Sequence, residues 1–362
     1  MKKILLLLIS FIISGGIYAQ VTYRDLTLEE ALKVAEKEGK LVFVDFTAPW
    51  CCGCKLIEGE LKKAKEFGQI MNSLFVCIQA DVDTKYGREL REKYIVPSLP
   101  TYLYIRPDGT VQHQFGGGSN IEYFVQKFWR GLDPYNNYLY YKTHYDAGER
   151  NKEFLKRYIE CLEEMGWDQE KDKIKDVLWN KCSDQEKMNL FSMFFHTWLE
   201  EDSKEIQHLI ANKEAYRSVN GETNVNNILL APIERELSKI IKRDTVWSKN
   251  NLKKLEKEIA ERGGEANKAL NLQMKLCYAI CLGKENDVIK ICEKELNILN
   301  QPKLERLKYH ILLNCSKTAK EKGMIEAWIQ VCKKYLPTMN NIPIFGYQEQ
   351  LKGVIKDLEE KL

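Results

Sequence analysis

Apolar and polar positions follow two different rhythms along this chain. Between about residues 27 and 130, short apolar runs alternate with segments of helical spacing. The run Leu41-Val42-Phe43-Val44-Asp45-Phe46-Thr47 is apolar at nearly every position, as in a strand buried on both faces. Before it, Thr27-Leu28-Glu29-Glu30 reads as a capping box. Leu28, Ala31, Leu32 and Ala35 then form one helical face, and Gly39 ends the helix. After it, a helix opens at a cluster of cysteines and runs to about Met71, with a break near Gly59 or Gly68. Leu74–Ile78 is a second buried strand, Tyr86–Tyr94 a helix and Thr101–Arg106 a third strand. Pro107-Asp108-Gly109 turns the chain into a partner strand, Val111–Phe115. Ser119-Asn120-Ile121-Glu122, a second capping box, opens a helix to about Arg130.

From residue 133 onward the rhythm is helical. Segments fall at about 150–165, 168–181, 184–200, 203–214, 225–243, 249–262, 265–282, 285–298, 303–318, 320–336 and 347–361. Ser183-Asp184-Gln185-Glu186 caps one of them, and Gly166, Gly263 and Gly283 are stop signals. Ile291-Cys292-Glu293-Lys294-Glu295-Leu296 resembles Val331-Cys332-Lys333-Lys334-Tyr335-Leu336, which hints at stacked helix pairs. The signature of a tetratricopeptide repeat is absent. The Tyr-rich stretch Tyr135–Tyr141 is expected to pack the α/β and helical parts together.

The first residues set a compartment. Lys2 and Lys3 precede an apolar run from Ile4 to about Ile13, and Gly15-Gly16-Ile17-Tyr18-Ala19 follows. This is the layout of a secretory signal peptide over residues 1–19, cleaved after Ala19. The run falls short of the ~20 residues that span a bilayer, so no stable membrane insertion is expected after its removal. The protein is then exported, periplasmic or extracellular. Without Lys2 and Lys3 the chain carries 53 basic and 52 acidic residues, a balance that gives no reason to expect nucleic-acid binding. Of 11 cysteines, Cys77 lies in a strand pattern, and Cys161, Cys182, Cys277, Cys281, Cys292, Cys315 and Cys332 lie in helical ones. These eight read as small buried hydrophobes.

The remaining three cysteines stand together in Ala48-Pro49-Trp50-Cys51-Cys52-Gly53-Cys54-Lys55. Cys51 falls where a strand turns into a helix. Unpaired N–H groups at a helix start stabilise a thiolate, and Cys54, one turn on, lies on the same face within reach of a disulfide. The pattern suits thiol–disulfide exchange. Asp45, an acid inside an apolar strand, needs a reason to be there. Cys52 reads as an exposed accessory thiol, with a third redox thiol as the alternative. Three thiols in four residues also suit a soft metal ion, but no second ligand pair is evident and no histidine has ligand spacing. No metal and no cofactor is expected.

The order of elements resembles the thioredoxin fold, a central mixed sheet flanked by helices. Trp50-Cys51-x-x-Cys54-Lys55 matches the family's active-site pattern, Asp45 its buried acid, and Gly116 the glycine after its last strand. Tyr94-Ile95-Val96-Pro97-Ser98-Leu99-Pro100-Thr101 matches its proline loop. The likeness is greatest to exported thioredoxin-like domains such as the C-terminal domain of DsbD. It implies that Cys51 attacks, that Cys54 resolves the mixed disulfide, and that Asp45 accepts the proton of Cys54. It implies that Trp50 covers the site, and that Leu99 and a cis Pro100 present backbone groups to an extended substrate. Two departures are clear. Cys52-Gly53 replaces the family's Gly-Pro, and Gln79 stands where a lysine is common.

The expected organisation is a signal peptide (1–19), a thioredoxin-like domain (20–132) and an all-α, helical-repeat-like domain (133–362). The expected function is an exported thiol–disulfide oxidoreductase. Its partners would be exported proteins with cysteines and an upstream thiol–disulfide donor or acceptor. The alternative is a partner-binding helical scaffold whose thioredoxin-like part is incidental or binds a soft metal.

Overall fold

A computed structural model describes residues 20–117, 120–245, 247–340 and 346–362. The leader and Ser119 of the second capping box lie outside the described residues. Helix α1 spans Leu28–Glu38 and starts as its sequence dictates. Thr27 accepts from the Glu30 N–H, Glu30 reaches back to the Thr27 N–H, and Gly39 closes the helix at φ 65°. Strand β1, Leu41–Thr47, has the expected limits. The cysteine helix is two helices, α2 (Cys52–Lys63) and α3 (Lys65–Leu74), and the break falls at Ala64 rather than at a glycine. Strand β2 (Phe75–Asp81), helix α4 (Lys85–Lys93), the hairpin β3 (Thr101–Ile105) and β4 (Val111–Gly116), and helix α5 (Ile121–Leu132) follow. Asn120 caps α5 by accepting from the Tyr123 N–H.

The four strands lie in the order β2-β1-β3-β4, with β1 parallel to β2 and antiparallel to β3. Both faces of β1 are covered, which explains its unbroken apolar run. Val42, Val44 and Phe46 pack in a cluster with Leu28, Ala31 and Ala35 of α1. Phe43 packs in a second cluster with Ile57 and Leu61 of α2 and with Phe124 and Phe128 of α5. Asp45 shares the Phe43 side by strand alternation.

Two compact units make up the chain, the first ending at Ser183 and the second spanning Asp184–Leu362. The first therefore contains three helices beyond residue 132: α6 (Tyr138–Asp146), α7 (Lys152–Met165) and α8 (Asp168–Lys181). The sequence pattern had no place for α6. Its tyrosines follow no single-faced spacing, and only Tyr138 and Tyr141 are buried. Tyr141 stacks on Tyr158 of α7, and Tyr138 packs edge-on against Trp167.

Helices α6 and α7 cover β4, the edge of the sheet. That cover, together with α5, explains three consecutive buried polar residues, Gln112, His113 and Gln114. Gln112 donates to the Gly131 carbonyl at 3.0 Å, Gln114 donates to the Met165 carbonyl at 2.9 Å, and the Tyr138 N–H donates to His113 Nδ1 at 3.4 Å. Burial pushes the His113 pKa down, and its Nε2 faces Glu164, 3.8 Å away. Glu164 also takes Lys127 at 2.8 Å and pairs with Arg130, both from α5. At the end of α7, Gly166 sits at φ 70° so close to Pro97 that a Cβ there would lie 2.5 Å from the proline ring.

The second unit is helical. Its helices mostly follow the expected segments, including Lys249–Glu261, Lys268–Cys281, Glu305–Ser316 and Lys322–Tyr335. The expected helix over 184–200 instead ends at Phe194. The carbonyls of Thr197 and Leu199, left outside any helix, accept from the Arg235 guanidinium. The two similar hexapeptides occupy equivalent helix ends. Glu285–Glu295 and Lys322–Tyr335 each run on into a 3₁₀ turn, at Leu296 and at Leu336. Seven of the eight cysteines expected as core are buried, and Cys281 is half-buried. Among the described residues no helix is long and apolar enough to cross a membrane.

The cover on β4 has a measurable consequence. A fragment of residues 20–183 should unfold cooperatively. One ending at Leu132 strips His113 and Arg130 of partners, leaves Gln114 only the Ile95 carbonyl at 3.5 Å and opens the sheet edge, so it should melt lower or aggregate. Thermal unfolding by circular dichroism checks this. A shorter fragment as stable as the longer would show that α6–α8 add nothing to the sheet.

Candidate active site

Cys51 is the N-cap of α2, with extended backbone (φ −76°, ψ 99°). The turn from β1 leaves its side chain at the helix mouth, where its Sγ accepts from the Cys54 N–H at 3.1 Å. Cys51 and Cys54 form a disulfide with their Cα atoms 5.3 Å apart. Both are buried and join the apolar cluster that contains Phe46, Ala48 and Val96. Cys52, the first residue of α2, is exposed.

Trp50 precedes the disulfide and is 63% exposed. Its indole N–H donates to Asp83 Oδ1 at 3.1 Å, which ties the ring to the loop after β2. The Leu99–Pro100 peptide bond is cis, as the resemblance implied. Pro100 is buried, and Leu99 is half-buried against the same cluster as the cysteines. A Cβ on Gly53 would stand 3.2 Å from Pro100 Cδ, so the proline packs directly on the cysteine turn. The residue that replaces the family's proline is thus the one with least bulk at this contact.

Asp45 is 7% exposed. Desolvation pushes its carboxyl up to about 6. Neighbouring polar side chains act against that rise. Gln79, its register partner on β2, donates from Nε2 to Oδ2 at 3.2 Å, and the Tyr23 hydroxyl nearby acts in the same direction. The charge of Glu58, one turn beyond Cys54, pushes the carboxyl further up. Sequence reasoning noted Gln79 only as a departure and missed Tyr23, Glu58 and Asp83. Glu58 was open to inference, being four residues after Cys54 on the same helix. Tyr23 and Asp83 carry no local signal.

Residues 22–107 match a family model described as thioredoxin-like. The DsbD thiol:disulfide interchange protein of Pseudomonas fluorescens is 35% identical over 109 residues, covering 28% of this chain and 18% of its own. An H-type thioredoxin of Oryza sativa subsp. indica is 35% identical over 72 residues, covering 20% of this chain and 54% of its own. In both cases the match leaves much of the relative's own length uncovered. The oxidised C-terminal domain of Neisseria meningitidis DsbD is 23% identical, aligns over 31% of this chain and 98% of its own, and has a TM-score of 0.26. The chain carries a thioredoxin-like domain similar to part of DsbD, with a helical remainder outside these matches.

The buried acid makes stability depend on pH. Folded Asp45 holds its proton to about pH 6, whereas an unfolded aspartate releases it near 3.9. Its contribution is therefore full below about pH 4 and is lost as pH rises through about 6. Asp45→Asn should gain roughly 2–3 kcal/mol over the parent at pH 7, and that advantage should vanish near pH 4. Urea unfolding of both proteins at the two pH values measures it. An advantage of equal size at both would mean that ionisation of Asp45 is not its source.

Proposed function

We propose that this chain is an exported thiol–disulfide oxidoreductase acting on protein substrates through Cys51 and Cys54. The observation that carries this is Cys51 at the mouth of α2, disulfide-bonded to Cys54 and accepting its N–H. In the reduced protein the same N–H and the helix dipole stabilise a thiolate at Cys51. That thiolate attacks one sulfur of a substrate disulfide, and the other sulfur leaves as a thiolate. Asp45 takes the Cys54 proton, Cys54 attacks Cys51 Sγ, and the substrate departs as a dithiol while the Cys51–Cys54 disulfide forms. Run backwards, the same steps oxidise a substrate dithiol. An upstream thiol–disulfide partner resets the pair.

The exposed Trp50 ring, Leu99 and Pro100 form the substrate-binding rim, with an extended substrate strand lying along the proline loop. Cys52 is an accessory thiol: it is exposed and stands outside the disulfide. The thioredoxin-like domain of residues 20–132 does the chemistry, and the helical part selects partners. Export follows from the leader pattern over 1–19 and fits the kinship with DsbD.

Three substitutions test the assignment in an insulin-reduction assay on the full chain. Cys51→Ser should abolish turnover, and retained activity would falsify the mechanism. Cys54→Ser should stop after the first step and accumulate mixed disulfides through Cys51, visible on non-reducing gels. Cys52→Ala should stay within a few-fold of the parent. A loss as deep as that of Cys54→Ser would make Cys52 the resolving thiol instead.

A further inference from the structure

Ile95, at the head of the loop that leads to Pro100, adopts left-handed backbone at φ 52°. Glycine is the usual residue in that conformation at a helix end, and a β-branched side chain is strained there. The end of α4 sets the conformation. The Ile95 N–H donates to the Glu92 carbonyl at 3.2 Å and the Val96 N–H to the Arg91 carbonyl at 3.0 Å. Val96 then turns into the apolar cluster that holds Cys51 and Cys54. From its other side the loop meets the end of α7. Gln114, fully buried on β4, donates from Nε2 to the Met165 carbonyl at 2.9 Å and to the Ile95 carbonyl at 3.5 Å. Its Oε1 is buried without a partner among the described residues. Both neighbours of the amide are carbonyls, and only its nitrogen can serve them. At the next residue after Met165, a Cβ on Gly166 would meet three atoms of the Pro97 ring, at 2.5, 3.2 and 3.6 Å. Helix α7 is itself held fast. Leu155, Tyr158, Ile159 and Leu162 are buried along it, and Glu164 is paired with Lys127 and Arg130 of α5.

We propose that the end of α7 positions the substrate-binding loop: Gln114 and Gly166 are positioning residues, and through them the helices that follow the sheet set where Leu99 and Pro100 stand. The inference rests on the reading of Leu99 and Pro100 as the substrate rim. The loop is held at three places. Gln114 and the end of α7 hold Ile95 and Pro97. The hairpin holds Ser98 and Pro100, since the Thr101 hydroxyl donates to the Ser98 carbonyl at 2.8 Å and the Gly117 N–H to the Pro100 carbonyl at 2.8 Å. The cysteine turn meets Pro100 through Gly53. A strained residue persists where its surroundings over-determine it, and Ile95 has such surroundings. An extended substrate bonds to loop backbone, so its affinity depends on where those groups stand to within about an ångström.

The test compares Gly166→Ala with Gly148→Ala in the full chain. Gly148, just past α6, is also left-handed at φ 98°, but a Cβ there meets nothing within 4 Å. Both substitutions strain the backbone, and only the one at 166 presses on the loop. Gly166→Ala should raise the KM for insulin reduction roughly three- to tenfold with kcat nearly unchanged. Its rate with bis(2-hydroxyethyl) disulfide, too small to lie along the loop, should stay at the parental value. Gly148→Ala should lower the melting temperature and leave the KM alone. A folded Gly166→Ala protein with the parental KM, or an equal rise in Gly148→Ala, overturns the proposal. If Gly166→Ala does not fold, Gln114→Leu decides: the same rise in KM is expected, and a parental KM overturns it. Failure of the underlying reading looks different. A parent that does not reduce insulin removes the assigned function, and the coupling is then read from the amide resonances of Ser98 and Leu99. These should shift in Gly166→Ala and not in Gly148→Ala, and unmoved resonances overturn the proposal.

Discussion

The carboxyl of Asp45 is buried between the apolar clusters of the sheet and accepts a hydrogen bond from Gln79. Much of the first unit can be traced from that bond. A buried carboxyl without donors costs several kcal/mol, so the strand that carries it must be paired where donors can reach. Parallel pairing with β2 places Gln79 opposite, and the segment from Gln20 to Arg24 brings Tyr23 to the same face. The apolar neighbours Val44 and Phe46 anchor the strand below the cysteine turn and fix the acid in place. Gln79 is exposed while bonded to Asp45, so the acid lies one side chain from solvent.

What the sequence revealed, it revealed through local physics. The limits of β1 follow from an apolar run bounded by Gly39-Lys40 and Ala48-Pro49, and α1 from one capping box and one glycine. Cys51, Cys54 and the cis Leu99–Pro100 bond were legible because the motif residues sit at family spacings. The break at Ala64 was not legible, since nothing in Lys63-Ala64-Lys65 resembles a stop signal. Helix α6 was missed because its face is built from tyrosines, whose burial depends on Phe154, Tyr158 and Trp167 further along the chain. Tyr23 was missed for the same reason, since only its bridge to Cys77 on β2 brings it to the Asp45 side.

The edge strand shows the reverse relation between pattern and environment. Gln112-His113-Gln114 reads as the polar edge of a sheet in water, and an isolated domain would keep it there. In this protein each of the three finds a hydrogen-bonding partner on an element packed against the strand. The edge is closed by helices rather than by charge, and the sheet and its following helices form one compact unit up to Ser183.

Gly166 and Pro97 draw one more consequence from that closure. A glycine in left-handed backbone at the end of α7 touches a proline in the loop that leads to Pro100, with no room for a methyl group between them. Neither position can drift alone: bulk at 166 displaces the loop, and a change of shape at 97 opens a gap under the helix. Over evolutionary time the two sites should behave as a single character, inherited together. A homologue that lacked helices α6–α8 would be released from that contact.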